Sequence, residues 1–331
     1  MKPDLGYDTP RLRDLLALSA DLLAHPWKEL FVQDADPEGY DLTQQIVTEP
    51  FFQFQPFGES GTCQVGFLQS DHRNKFGCCG NRSGKTAVAL HEDACDCLMM
   101  DPMSKQPSTR FEHPIDMWTV SDTEETAIEI VQRTLVQDVL GFETDSFMWN
   151  FVDDSAKWTD KSGFSGHVLP WSNGSRINFK YSSQGRTAFQ GVPRHKIHAD
   201  EVCPKPIYEE CRARLIDYNG YFVNTFTPIS EKGIPWVYED LYVPRIDKDL
   251  EFHHWSMLDN PHLSEEAIKK YIQEIEEDEY EARIYGMFTP TGLKRALSNQ
   301  LLRQLREGCS REYEKMELMV DERETSRMIA A

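Results

Sequence analysis

Gly77-Cys-Cys-Gly-Asn-Arg-Ser-Gly-Lys-Thr86 is the stretch that decides how this chain is read. Lys75 to Cys79 before it reads as a short strand, and Thr86 to Met100 after it reads as a helix. Strand, glycine-rich turn and helix, in that order, form the setting that a phosphate-cradling loop requires. Backbone N–H groups at the helix start face phosphate oxygens. Lys85 adds a point charge to the β- and γ-phosphates, and the Thr86 hydroxyl offers a ligand to Mg²⁺. Gly80 and Gly84 permit close backbone approach and positive φ. The common pattern carries Gly five residues before Gly84, where this chain has Cys79, so the match is to a relaxed form. The plain alternative is an ordinary glycine turn beside a surface lysine.

A nucleotide hydrolase needs a second carboxylate near the metal and a group that orients water. Lys196-Ile-His-Ala-Asp-Glu201 offers both. A strand ending at Ala199 places Asp200 at its carboxyl edge, where α/β sheets bind ligands. Asp200 then supports the metal, and Glu201 polarises the attacking water. His195, Lys196 and His198 make this run less apolar than a buried central strand should be. A surface turn with two acids is the competing reading.

Working outward, Met117-Trp-Thr-Val120, Arg176 to Tyr181 and Tyr221 to Thr225 also read as strands. A helix is expected to open within Ser121-Asp-Thr-Glu-Glu125 and run to about Leu140. Another is capped by Ser264, has Glu265 and Glu266 in its first turn, and runs to about Tyr285 before Gly286. The acidic run Glu274 to Glu279 reads as its solvated face. Strands interleaved with helices predict an α/β fold with a mostly parallel central sheet flanked by helices. Three regions are expected: a helical N-terminal extension over 1–50, built on leucines from 12 to 23; a nucleotide-binding domain over 51–290; and a helical, charged tail over 291–331.

The chain has 331 residues, with 35 Lys and Arg against 55 Asp and Glu, a formal net charge of −20. With 40% hydrophobic and 27% charged residues it is expected to be globular, not collagen-like or wholly disordered. A surface built mainly to coat nucleic acid is disfavoured, because phosphate binding rests on Lys and Arg. A local basic site is still compatible with this balance, and Arg295 and Arg303 are candidate basic residues. No apolar run is long enough for a membrane span. No leader is evident at Met1-Lys2-Pro3-Asp4, and a cytosolic protein is expected. The eight cysteines show no metal-ligand spacing and are expected to be reduced structural thiols.

Four stretches together resemble the large terminase subunit of tailed bacteriophages, the ATPase that drives double-stranded DNA into a procapsid. Gly80-Asn-Arg-Ser-Gly-Lys-Thr86 is similar to that family's variant phosphate loop. Ser182 to Gly191, followed by Asp200-Glu201, resembles its approach to the metal and base carboxylates. Asn224-Thr-Phe-Thr-Pro228 resembles its coupling element, and Leu263 to Gly286 the helix closing its ATPase domain. More faintly, Gln64 with Phe67 is similar to its adenine-side glutamine motif. The resemblance implies a phosphate-loop NTPase of the RecA-like, additional-strand (ASCE) class.

It implies roles as well. Gly80, Asn81, Arg82, Ser83, Gly84, Lys85, Thr86 and Gln64 would bind ATP, with Mg²⁺ at Thr86 and Asp200. Glu201 would be the base. Arg82 would stabilise transition-state charge or sense the γ-phosphate, and Arg186 would reach a neighbouring subunit's nucleotide as an arginine finger. Against these stand a loop arginine paired with a surface acid, and a salt bridge at the sheet edge. Thr225 and Thr227 would register hydrolysis and relay it to a moving subdomain. The implied partners are double-stranded DNA, the portal protein, the small terminase subunit and further copies in a ring on the procapsid, in the host cytoplasm and without a membrane. Full-length family members continue into a nuclease domain; Asp321, Glu322 and Glu324 lie in a polar tail, so no nuclease activity is expected here. A helicase-like ATPase, a small-molecule kinase and a portal-binding assembly subunit with a decayed site remain as alternatives.

Overall fold

Asn74–Cys79 forms β1 and runs through the glycine loop into α1, Lys85–Cys97. The computed structural model describes residues 49–288 apart from 113, 143–145, 230–234, 245–247 and 277–278. The leucine-rich helix expected at 12–23, the tail beyond 290 and Arg295 and Arg303 lie outside the described residues. β2 (Asp116–Ser121) follows α1. Next come unbroken helical turns, Glu124–Thr126, Ala127–Gln132, Arg133–Leu135 and Val136–Leu140, treated together as α2. Thr123 caps them, its hydroxyl accepting from the Thr126 N–H at 3.1 Å, and Gly141 ends them at φ 80°. The remaining strands of the main sheet are β3 (Val168–Pro170), β4 (Arg176–Tyr181), β5 (Lys196–Asp200), β6 (Tyr221–Phe226) and β7 (Leu250–Trp255), with α3 (Lys205–Arg214) between β5 and β6, and a separate short hairpin pairs Trp158–Thr159 with Gly163–Phe164.

The seven strands form one sheet in the order β3-β4-β2-β5-β6-β1-β7. Only the β3–β4 pair is antiparallel. β6 therefore lies between the strand that feeds the glycine loop and the strand that ends in Asp200. This is the additional-strand arrangement, in which a ligand binds beyond the carboxyl ends of the strands.

Side-chain alternation along the strands makes the sheet's two faces different. Phe76, Trp118, Ile197, Ala199 and Phe222 pack on one face with Ile207 and Cys211 of α3. Met117, Ile177 and Phe179 pack on the other with Leu90 and Ala94 of α1 and Val131 and Leu135 of α2. The same alternation explains the polar residues in β5. Lys196, His198 and Asp200 share the α1 side, while Ile197 and Ala199 serve the opposite core.

Two expectations are corrected. The helix read from Ser264 to Tyr285 is two helices, α4 (Glu265–Glu274) and α5 (Tyr280–Tyr285), because Ile275 is extended at φ −80°, ψ 138°. Glu274 therefore ends α4 and Glu279 is the N-cap of α5, so these two do not share the solvated face of one helix. Ser264 does cap α4, and Gly286 does close α5 in the left-handed region at φ 67°. The helix after the glycine loop begins at Lys85 and stops at Cys97, short of Met100. β3, α3 and β7 had no counterpart in the sequence reading. No helix among the described residues is long and apolar enough to cross a membrane, and the described cysteines are all free thiols.

Candidate functional site

The glycine loop is held from the protein side. Gly84, the N-cap of α1, has φ 74°, and a Cβ there would lie 2.7 Å from Nε2 of Gln64. That Nε2 donates to the carbonyls of Ser83 at 3.2 Å and Gly84 at 3.3 Å. Trp255 Nε1 on β7 also donates to the Ser83 carbonyl, at 3.0 Å. Gly80 is required for a different reason: a Cβ would sit 2.2 Å from the carbonyl oxygen of Ile284, so α5 packs directly on the loop backbone. The Asn81 N–H donates to the Arg283 carbonyl at 2.6 Å and strengthens that contact.

Two residues of α1 meet the two acids at the end of β5. Lys85 Nζ lies 3.1 Å from Glu201 Oε1, and the Thr86 hydroxyl donates to Asp200 Oδ1 at 2.8 Å. Burial opposes the Lys85 charge, but Glu201 and Asp200 outweigh it and hold the ammonium above its usual range. Glu201 has φ 74°, a left-handed conformation that costs a non-glycine residue free energy and that surrounding structure must sustain. Its N–H donates to the Thr225 carbonyl at 2.8 Å, and Asn224 Nδ2 donates to its carbonyl at 3.0 Å.

The Asn224-to-Pro228 element closes on the same place. Thr225 is the register partner of Asp200, and its hydroxyl lies 3.5 Å from Asp200 Oδ1. The Thr227 hydroxyl donates to Asn81 Oδ1 at 3.1 Å, and its N–H to Glu201 Oε2 at 3.4 Å. Asn81 Nδ2 donates in turn to the Tyr271 hydroxyl of α4 at 2.7 Å. The end of β6, the glycine loop and α4 are thus joined by consecutive hydrogen bonds.

The two arginines stand differently. Arg82 is exposed in the loop at φ 55°, its carbonyl accepting from Asn260 Nδ2 at 2.7 Å. Arg186 is apart from the cluster: its Nη2 and Nε each lie 2.8 Å from Glu210 Oε1 on α3. A salt bridge was the reading weighed against the finger, and the partner is on a helix over the sheet. A cavity of about 350 Å³ opens beside Gly84 and Ala87, lined also by Phe54, Phe57, Gln64 and Asn260. Its volume is in the range of small-molecule sites.

Beneath the site lies a buried ionic network that the sequence reading missed. Lys196 Nζ bonds Asp96 at 2.6 Å and Asp93 at 2.9 Å. Glu92 takes Lys75 at 2.5 Å and Arg110 at 2.8 Å. His198 Nδ1 lies 2.6 Å from Asp93 Oδ2. Burial alone would raise the Glu92 pKa, but Lys196, Lys75 and Arg110 hold it well below the usual carboxylate range. Asp93 is likewise held low against its burial by His198 and Lys196. The available signal was the period-two run of Lys196, His198 and Asp200, opposite three neighbouring acids of a helix.

Sheet order, glycine loop and the lysine facing paired acids define a phosphate-loop α/β domain of the additional-strand class. The chain belongs to the terminase large-subunit family, since the model of that family described as T4likevirus-type, N-terminal, matches residues 78–302. The terminase large subunit of Salmonella phage P22 is 25% identical over 272 residues, covering 73% of this chain and 52% of its own length. The chain therefore spans about half the length of that curated relative. The large terminase of a thermophilic bacteriophage superposes with a TM-score of 0.55 at 16% identity, covering 71% of this chain and 54% of that one. The large terminase ATPase domain of Thermus phage P74-26 gives 0.52 at 16% identity, covering 72% of this chain and 96% of that domain.

Proposed function

We propose that this chain hydrolyses ATP to drive double-stranded viral DNA into a procapsid. The observation that carries the proposal is the convergence of Lys85 and Thr86 with Asp200 and Glu201, brought from 115 residues apart in sequence onto one hydrogen-bonded cluster.

The triphosphate lies over Gly80 to Thr86, and Lys85 neutralises its terminal oxygens. Thr86 and Asp200 are a hydroxyl and a carboxylate 2.8 Å apart, the hard oxygen donors that suit magnesium, and would hold it. When bound, the ion supplies charge neutralisation at the phosphates. The cavity beside Gly84 takes the base. Gln64, whose Nε2 is committed to the loop, offers its Oε1 to the adenine amine.

Glu201 orients and deprotonates the attacking water. Lys85 lies 3.1 Å from its Oε1, and a lysine drawn to phosphate would release the carboxylate. Arg82, exposed on the loop, folds over the γ-phosphate. Arg186, whose side chain is half exposed, would act on a neighbouring subunit's nucleotide only by leaving its two-nitrogen contact with the buried Glu210. Thr227 and Asn81 carry the loss of γ-phosphate to α4 through Tyr271. The working state is a homo-oligomeric ring on the portal, with the small terminase subunit, in the host cytoplasm.

The test is ATP hydrolysis by wild type and Lys85→Ala, each alone and with DNA and portal added. Wild type should turn over and Lys85→Ala should not. Equal rates in every condition would overturn the proposal.

A further inference from the structure

The cavity beside Gly84 is bordered by an acid that the proposed hydrolysis does not use. Asp138 lines it together with Phe54, Phe57, Gln64 and Ala87. Asp138 belongs to the Val136–Leu140 turns of α2, whose Val136, Val139 and Leu140 are buried in the core. Those anchors fix the turn and hold Asp138 at the cavity wall. The residue as a whole is exposed, yet desolvation raises the pKa of its carboxyl, and no cation or donor among the described residues opposes that rise. It is an acceptor without a donor, at the edge of a space sized for a small molecule.

The remaining walls suit a flat ring. Phe54 and Phe57 supply aromatic surface, on which a planar heterocycle stacks. Phe54 is braced from behind: its ring stacks on His91 with centroids 4.2 Å and planes 22° apart, and His91 is fully buried and touches the Lys105 ammonium through Nε2. Gln64 directs its Nε2 to the carbonyls of Ser83 and Gly84, which leaves Oε1 for the cavity. Asp138 and Gln64 thus both offer acceptors to a bound base. An adenine 6-amine has two protons to give them. The 6-oxygen of a 6-oxopurine is itself an acceptor, and at the same place it meets a carboxylate with no proton to share.

We propose that Asp138 is a specificity-determining residue, which accepts a hydrogen bond from the adenine 6-amine and turns away 6-oxopurine nucleotides. The contacts at Gly80 to Thr86 hold any nucleoside triphosphate alike, so selection among bases has to occur at the other end of the ligand. Phe54 positions the ring, and Asp138 reads its edge. A carboxylate can also take the N1–H and 2-amine of guanine, which makes GTP the ligand that tests the choice. This inference rests on the proposed ATPase reading and goes beyond it in naming the residue that selects the base.

The experiment compares ATP, inosine triphosphate and GTP on the full chain carrying Asp138, Asp138→Ala or Asp138→Asn. Affinity is read by displacement of a fluorescent ATP analogue, and kcat/KM by hydrolysis of each nucleotide. A hydrogen bond to a charged acceptor corresponds to about ten- to hundredfold in affinity, and the exposure of Asp138 points to the lower end. Wild type should therefore prefer ATP to both 6-oxopurine nucleotides about tenfold. Asp138→Ala should weaken ATP by about that factor and leave inosine triphosphate where it was. Asp138→Asn, whose amide can donate to a 6-oxygen, should weaken ATP and tighten inosine triphosphate. Opposite responses of two ligands to one substitution are not produced by structural damage. An unchanged ratio, an equal loss on all three nucleotides, or a wild-type preference for GTP would overturn the inference. If Asp138→Ala does not fold, the nearly isosteric Asp138→Asn carries the test. Lys85-dependent hydrolysis whose base selectivity ignores Asp138 sinks this inference alone. Absence of Lys85-dependent hydrolysis of any of the three sinks the ATPase reading, and this one with it.

Discussion

Glu201 combines a functional carboxylate with a backbone conformation that glycine would adopt more easily. Its φ of 74° is kept because the N–H and the carbonyl on either side of that twist are both bonded to β6. Two substitutions separate chemistry from strain. Glu201→Gln keeps shape and removes the base, so ATP affinity should hold while kcat falls about 10²- to 10⁴-fold, measured by equilibrium binding and steady-state hydrolysis. Glu201→Gly should be inactive but more stable than Glu201→Ala by about 1 kcal/mol in urea unfolding, since only the glycine is relieved at positive φ. Lys85, Thr86, Asp200 and Glu201 were legible in sequence because a glycine loop and an acidic pair have few other uses in that order. Asp93 and His198 were not, because a histidine in a strand and an acid in a helix are common. Only their 2.6 Å contact makes them a pair.

Among the elements, α1 is unusual in burying Glu92, Asp93 and Asp96 against the sheet. Lys75 of β1, Lys196 of β5 and Arg110 supply the matching cations. The charges balance, and the network fixes the rotation of the helix that carries Lys85 and Thr86. Removing one partner strands the rest. Lys196→Met should destabilise the fold by about 3–5 kcal/mol, because an uncompensated buried carboxylate costs more than the pair gains. Chemical denaturation monitored by tryptophan fluorescence measures it, and a loss below about 1 kcal/mol would show that water reaches the network. β4 could be read from its alternation, β1, β2, β5 and β6 as short strand candidates, and α2 and α4 from their caps. β7 escaped notice because Leu250 to Trp255 carries Glu251, His253 and His254, polar residues of a sheet edge. The single helix read through Tyr285 failed because nothing in the acidic run marks Ile275 as extended.

For the molecule as a unit, acid sensitivity follows from buried imidazoles. Burial, against the pull of Glu251, pushes His253 down to about 4, and His91 is driven well below its ordinary value by burial and Lys105. Each stays neutral in the fold while the unfolded chain takes up a proton as pH falls past about 6.5. Stability is therefore intact above that pH and is lost as pH drops toward 4. His253 alone accounts for about 3 kcal/mol of the loss. Urea midpoints at pH 7 and pH 4.5 should differ less in His253→Gln than in wild type, and an equal difference would assign the sensitivity elsewhere. The parallel α/β class, the phosphate loop and the identity of the two acids can all be read along the chain. They are encoded locally, in alternation, caps and glycines whose backbone demands no other residue meets. Three things emerge from folding alone: β6 intervenes between loop and acids, Arg186 binds Glu210, and the polar face of β5 meets three carboxylates of α1. Strand order and buried charge pairing depend on which distant segments are packed together, and no local pattern carries that information.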